Sequence, residues 1–182
     1  MSFADPLSGI DRAVRWAVVA ILAVLTWQFA HLPLDGSGDP GFLHLPNLVF
    51  HEAGHIIFLP LGRFMSVLGG SLMQLLVPLI FAIAFVRQDN LFASAVCTWW
   101  AGQNIVDLAP YIADARRLQL VLLGGFTGAE VEGHDWEYLL MTVGWLPYDL
   151  ALGWAALFAG IAVMIGATVW AGLTLIERPS EQ

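Results

Sequence analysis

Apolar residues fall into four long runs along the chain, each closed by a short polar or charged segment. A helix needs about 20 apolar residues to cross a hydrocarbon core of about 30 Å, and each run approaches or exceeds that length. The pattern therefore predicts four transmembrane helices, over residues 14–30, 64–86, 91–113 and 150–176.

Two further segments are too short to span a bilayer unaided. Residues 47–59 lie between Pro46 and Pro60, which leaves about 13 helical residues, or roughly 20 Å at the usual rise. Residues 118–146 hold two brief apolar runs separated by glycines and an acidic stretch, which predicts a surface hairpin or an interfacial helix. The expected fold class is all-α: one integral membrane domain over residues 1–182, a polytopic bundle of four to six membrane helices with one short motif-bearing helix.

Composition supports this interpretation. Apolar residues make up 58% of the chain and charged residues 12%, against roughly 45–50% and about 25% in soluble proteins. A soluble domain of this size could not bury so much apolar surface, so membrane lipid is the expected surrounding. The net charge of −8 and the dispersed arginines argue against nucleic-acid binding. The single cysteine, Cys97, excludes an internal disulfide and a multi-cysteine metal site.

The distribution of arginines predicts orientation. Arg12 and Arg15 precede the first apolar run, which is long for a signal peptide and has no clear cleavage site after it, so we expect a retained transmembrane helix. If residues 47–59 cross a thinned membrane, five arginines lie on one side and two on the other; a re-entrant segment gives four and three. The positive-inside rule then places the N-terminus in the cytoplasm, and we expect the bacterial inner membrane.

The sequence His51-Glu52-Ala53-Gly54-His55 carries the main chemical signal. Residues i and i+4 share one face of a helix, so both histidines can bind one metal ion, for which we expect Zn²⁺. Glu52 is placed to act as general base on a metal-bound water. A buried acid in a bilayer costs roughly 2.5–3.5 kcal/mol, which a cation would offset. The alternative is a chance match with two histidines satisfied in a polar interior.

A tetrahedral site needs further ligands. Asn104, Asp107, Tyr111 and Asp114 form one helical stripe, which predicts either a ligand-bearing face or a structural seam between helices. Asp107 ranks first as third ligand, because it can reach the histidines whether residues 47–59 cross or re-enter; Asp114 is the other candidate.

The polar cluster around residue 134 allows more than one role. His134 is either a fourth ligand or a substrate contact, and Asp135 could simply cap a helix starting at Trp136. His31 and His44 stand at loop edges, where we expect them to be solvated and without a role.

In this order the motifs resemble those of the site-2 protease family of intramembrane zinc metalloproteases. The resemblance covers residues 47–117, with His51–His55 as its first motif, a Gly-rich stretch at 69–74 and a third motif over 104–114. It implies zinc ligation by the two histidines and an aspartate, catalysis by Glu52 and substrate orientation by Asn104. Asp107 stands where that family usually has proline, and Asp114 lies two residues beyond its usual aspartate.

Three functions remain open from the sequence. The first is an intramembrane metalloprotease that hydrolyses peptide bonds of membrane-spanning substrates. The second is a non-proteolytic metal-binding membrane protein or a small structural subunit of a larger membrane complex. The third is a transporter or proton path that uses the acids Glu52, Asp107 and Asp114, although no paired repeat is present.

Overall fold

A computed structural model describes residues 9–38 and 41–176 of the chain. Over this part the fold is all-helical, as predicted, and one isolated β-bridge is its only extended pairing. Its helices are α1 (Gly9–Phe29), α2 (His44–Phe58), α3 (Arg63–Val86), α4 (Leu91–Ala113), α5 (Asp135–Thr142) and α6 (Asp149–Ile176), with 3₁₀ turns at Leu59–Leu61 and Leu146–Tyr148.

Three of these helices are long and apolar enough to cross a membrane, fewer than the four to six expected. They cover Asp11–Phe29, Arg63–Arg87 and Leu146–Ile176. Helix α4 is not among these three helices: it has 23 residues but is interrupted by polar side chains that include Gln103 and Asn104. Both of these side chains are fully buried, so α4 is an interior helix of the bundle.

Helix α4 lies at the centre of the fold, packed along α6 and against α3. Small residues allow α4 and α6 to approach closely: a Cβ added at Gly160 would lie 2.7 Å from the Gly102 carbonyl oxygen. Between the helices lies an apolar core that includes Trp99, Val106 and Met164. The end of α4 is then joined to the start of α6 by a salt bridge of 2.6 Å between Arg116 and Asp149.

Helix α2 packs against α3 with their backbones in contact. A Cβ added at Gly54 would overlap the Gly69 carbonyl, and one added at Gly69 would lie 2.6 Å from the Gly54 carbonyl oxygen. Pro46 is accommodated inside α2 because the N–H groups of a first helical turn have no intrahelical partner. Helix α2 is therefore slightly longer than the segment between the prolines, with 15 residues.

Residues 118–134 form an irregular connection that leads to α5. A short hairpin at its centre pairs Val121 with Thr127, and the Leu122 N–H donates to the Phe126 carbonyl at 2.8 Å. Helix α5 then packs on α3 and α4. The connection thus carries the N-terminus of α5 to the histidines of α2.

Candidate metal centre

His51 and His55 lie one turn apart on α2, with their ring centroids 4.9 Å apart. Asp135, the first residue of α5, meets both. Its Oδ2 is 2.9 Å from His51 Nε2 and 3.3 Å from His55 Nε2. The three residues offer ligand atoms within 4.8 Å of one another and could hold a metal ion.

The second nitrogen of each ring has an oxygen partner. His55 Nδ1 is 2.9 Å from the Ser66 carbonyl oxygen, and His51 Nδ1 is 3.0 Å from Gln74 Oε1. These oxygens can only accept, so each neutral ring carries its proton on Nδ1 and presents a lone pair on Nε2. Two lone pairs therefore converge on a carboxylate oxygen, an arrangement that needs additional protons or a cation. Such outer hydrogen bonds are typical of metal-binding histidines.

The donor set and the available space both fit a zinc-type ion. Ligand atoms around a tetrahedral ion with bonds of about 2.0–2.1 Å lie roughly 3.3 Å apart, close to the distances given above. Two imidazoles and one carboxylate are also the ligands of catalytic zinc sites that keep a position open. Gly70 leaves the necessary room, because a Cβ there would lie 2.6 Å from both His51 Nε2 and His55 Cε1.

Asp135 is in the charge state that a ligand needs. Burial raises the pKa of its carboxyl group, but the hydrogen bonds and charges of His51 and His55 lower it further, so that the pKa lies below its ordinary value. The carboxylate is therefore ionised at neutral pH and contributes a negative charge to the centre.

Glu52 faces the same cavity as the three potential ligands. The cavity has a volume of about 930 Å³, and its lining combines the polar residues of the centre with apolar ones from the 118–134 connection, such as Leu120 and Leu122. Glu52 is half-buried, and among the described residues it has no hydrogen-bond or salt-bridge partner. Its side chain is therefore accessible to a molecule in the cavity.

The carboxylate in contact with both histidines is that of Asp135, whereas the sequence favoured Asp107 as the third metal ligand. Asp107 bonds instead to His44, Asn47 and Gln74, and it lies outside the ligand group formed by the described residues. His44 was expected to be solvated and without a role. It is in fact 39% exposed, and its Nδ1 lies 3.0 Å from Asp107 Oδ1.

Tyr111 and Asp114, near the C-terminal end of α4, form hydrogen bonds with the segment that leads to Asp135. The Tyr111 hydroxyl accepts a hydrogen bond of 2.9 Å from the Asp135 N–H. Asp114 Oδ2 accepts from the Leu120 N–H at 2.8 Å and lies 3.6 Å from His134 Nε2. His134 caps α5, because its Nδ1 accepts from the Glu137 N–H at 3.2 Å.

Asn104 occupies a different position from the one its predicted role requires. It is fully buried, its side-chain amide donates to the Trp100 carbonyl at 2.9 Å, and it does not line the cavity. The structure thus brings together His51, Glu52 and His55 from the first motif, and it adds Asp135. The only sequence signal for Asp135 was its place beside a histidine in an acidic stretch.

The chain matches no protein-family model, no curated protein and no solved structure. The arrangement of the centre itself therefore carries the functional information.

Proposed function

We propose that this chain is an intramembrane zinc metalloprotease that hydrolyses peptide bonds of membrane-spanning substrates. His51, His55 and Asp135 hold one Zn²⁺ ion, and Glu52 is the general base. One observation carries the proposal: the three ligand atoms and an unpaired Glu52 carboxylate open onto the same cavity. The resemblance of the first motif to the site-2 protease family supports the same reaction class.

The chain's own residues have defined tasks in this reaction. When bound, zinc polarises the substrate carbonyl and lowers the pKa of a water molecule to about 7. Glu52 accepts the proton from the attacking water on a carboxylate oxygen and delivers it to the leaving amine. Asp135 balances part of the positive charge, and the backbone hydrogen bond to Tyr111 holds it in place.

The membrane placement belongs to the same proposal. Helices α1, α3 and α6 cross the bacterial inner membrane, with the N-terminus in the cytoplasm as the arginine distribution favours. The cavity beside α2 then receives a peptide that has been unwound locally, because a helix hides its amides from attack. Apolar cavity walls such as Leu120 and Leu122 suit a substrate of this kind.

The decisive experiment compares Glu52→Gln with the wild type after reconstitution in proteoliposomes. The probes are fluorophore–quencher peptides, each with one apolar membrane-spanning segment. We expect the variant to keep one zinc ion per chain and to lose cleavage by about 100-fold or more, because proton transfer is removed while the ligands stay. Elemental analysis and the fluorescence assay measure the two quantities.

Glu132→Gln is the matched control, since Glu132 is another acid that lines the cavity. We expect it to cleave as the wild type does. Cleavage by Glu52→Gln at the wild-type rate would contradict the proposal. If neither protein cleaves any probe while His51→Ala lowers the melting temperature, the chain is instead a non-proteolytic membrane protein stabilised by its metal.

A further inference from the structure

Asp107 is a buried carboxylate with three hydrogen-bond partners and no place among the potential metal ligands. Its side chain is 5% exposed. Oδ1 lies 3.0 Å from His44 Nδ1, while Oδ2 accepts from Asn47 Nδ2 at 3.2 Å and from Gln74 Nε2 at 3.0 Å. Burial of an ionised acid is unfavourable unless hydrogen bonds compensate for the lost water. One of the bonds that does so here, from Gln74, connects Asp107 to the metal centre.

Gln74 links Asp107 to His51 through the two ends of its amide. A carboxylate can only accept hydrogen bonds, so the NH₂ end of Gln74 must face Asp107. This turns Oε1 toward His51 Nδ1, at 3.0 Å. An amide oxygen can also only accept, so His51 must carry its proton on Nδ1. The lone pair then resides on Nε2, the atom that lies 2.9 Å from Asp135 Oδ2.

An apolar residue at position 107 would release this constraint. The Gln74 amide could then turn over and present its NH₂ group to His51 Nδ1. The ring would respond by moving its proton to Nε2, and in that tautomer Nε2 cannot bind a metal. The orientation of one buried amide thus decides whether His51 is a ligand.

We propose that Asp107 is a positioning residue of the metal centre, which acts through Gln74 to keep the Nε2 lone pair of His51 directed at the metal. The inference rests on the metal site of the proposed function and does not require the chain to be a protease. It also gives Asp107 a role different from direct ligation.

The test measures zinc affinity by competition with a chromophoric chelator, using the full-length protein in detergent. We expect Asp107→Leu and Gln74→Met each to weaken zinc binding by about 10- to 100-fold, the usual effect of losing an outer partner of a metal ligand. We expect the double variant to bind about as weakly as Gln74→Met alone, because both changes break the same link.

A second pair of variants exchanges donor and acceptor with little change in shape. Gln74→Glu places two carboxylates side by side and should weaken zinc binding by about 10-fold or more. Adding Asp107→Asn supplies an NH₂ group to the new glutamate and should restore binding to within about 3-fold of the wild type. This pair keeps the test informative if Asp107→Leu does not fold.

Each other outcome overturns the inference. If Asp107 were itself a ligand, its loss would weaken zinc binding further in the Gln74→Met background, and Asp107→Asn would not rescue Gln74→Glu. If its role were structural only, Asp107→Leu would lower the melting temperature and leave zinc affinity unchanged. Asp149→Asn, a change at another buried acid, is the control and should bind zinc normally. Failure of the wild type to bind zinc would instead refute the proposed function.

Discussion

At the scale of single residues, Asp135 adds a third potential metal ligand to the two histidines of the first motif. Two histidines on one helical turn offer two ligand atoms to a metal ion, and the Asp135 carboxylate offers a third. The hydrogen bonds on both Nδ1 atoms direct the other nitrogens toward that carboxylate. The centre is therefore organised by its outer partners as much as by its ligands.

Asp135→Ala tests this assignment directly. We expect the variant to lose zinc affinity by about 100-fold or more, since two imidazoles alone bind zinc weakly. Chelator competition measures the affinity, and Glu132→Gln serves as the control because it removes a cavity-lining acid that is not part of the ligand group. If Asp135→Ala kept the wild-type zinc affinity and Asp114→Asn lost it, the third ligand would be Asp114 and not Asp135.

The sequence predicted the two histidines but could not select their carboxylate. His51 and His55 share a helical face whatever the rest of the chain does. Asp135 is 84 residues from His51, and the irregular 118–134 connection determines where it lies. Sequence periodicity does not predict the course of an irregular connection. Asp107 and Asp114 lie on a recognisable helical stripe and were therefore the stronger candidates.

At the scale of elements, the contact between α2 and α3 positions the histidines. Glycine at positions 54 and 69 allows the two backbones to touch, and Gly70 then lies directly beneath the imidazoles. Such small-residue contacts are a common way for membrane helices to approach closely. The Gly-rich stretch at 69–74 thus leaves room for the α2 backbone and the two imidazoles.

Gly54→Ala should disturb this contact. The added methyl group would overlap the Gly69 carbonyl, so we expect a loss of about 1–3 kcal/mol in stability and weaker zinc binding as α2 moves away. Thermal melting in detergent and chelator competition measure the two effects. Gly166→Ala in α6 is the control, because its Cβ would meet open space and alanine favours helix by about 0.5–1 kcal/mol. Equal melting temperatures for the two variants would contradict this role of Gly54.

Helix positions were largely predictable, and three of the four predicted spans are long and apolar enough to cross a membrane. The runs 64–86 and 91–113 correspond closely to Arg63–Val86 and Leu91–Ala113, because charged and polar residues close each run. Length and periodicity gave α4 correctly as a helix. Its buried polar residues, which serve the interior of the bundle, lowered its hydropathy below that of a spanning helix.

At the scale of the whole molecule, the metal centre ties together elements that are distant in sequence. Helix α2 carries two of the potential ligands and α5 carries the third, while α3 and α4 contribute the surrounding hydrogen bonds through Gln74 and Tyr111. A bound ion would therefore link α2 to α5 directly and to α3 and α4 through hydrogen bonds. Removal of the metal should lower the thermal stability of the folded chain.

Zinc should raise the melting temperature of the wild type but not of His51→Ala. A ligand that binds only the folded state adds about 2.7 kcal/mol of stability at 100 times its dissociation constant. Thermal melting with zinc and with chelator measures the difference. An equal shift in both proteins would show that zinc binds elsewhere.

The same stabilisation should depend on pH in a defined direction. Zinc binds neutral histidines and an ionised Asp135, and the lowered pKa of Asp135 keeps it ionised well into the acid range. The hydrogen bond to Asp135 raises the pKa of His55 to about 9, so below that pH a proton competes with zinc for this ring in the metal-free protein. The zinc-induced shift in melting temperature should therefore shrink as the pH falls below about 9. A shift that grows toward acid pH would exclude histidine ligation.

The separation of the ligands along the chain has a consequence for biosynthesis. A nascent chain that has left the ribosome only as far as α4 already contains both imidazoles and Glu52, but its third ligand has not yet been synthesised. The complete ligand set forms only after α5 has emerged and docked beside α2. A chain that ends before α5 should therefore bind a metal ion more weakly than the complete chain.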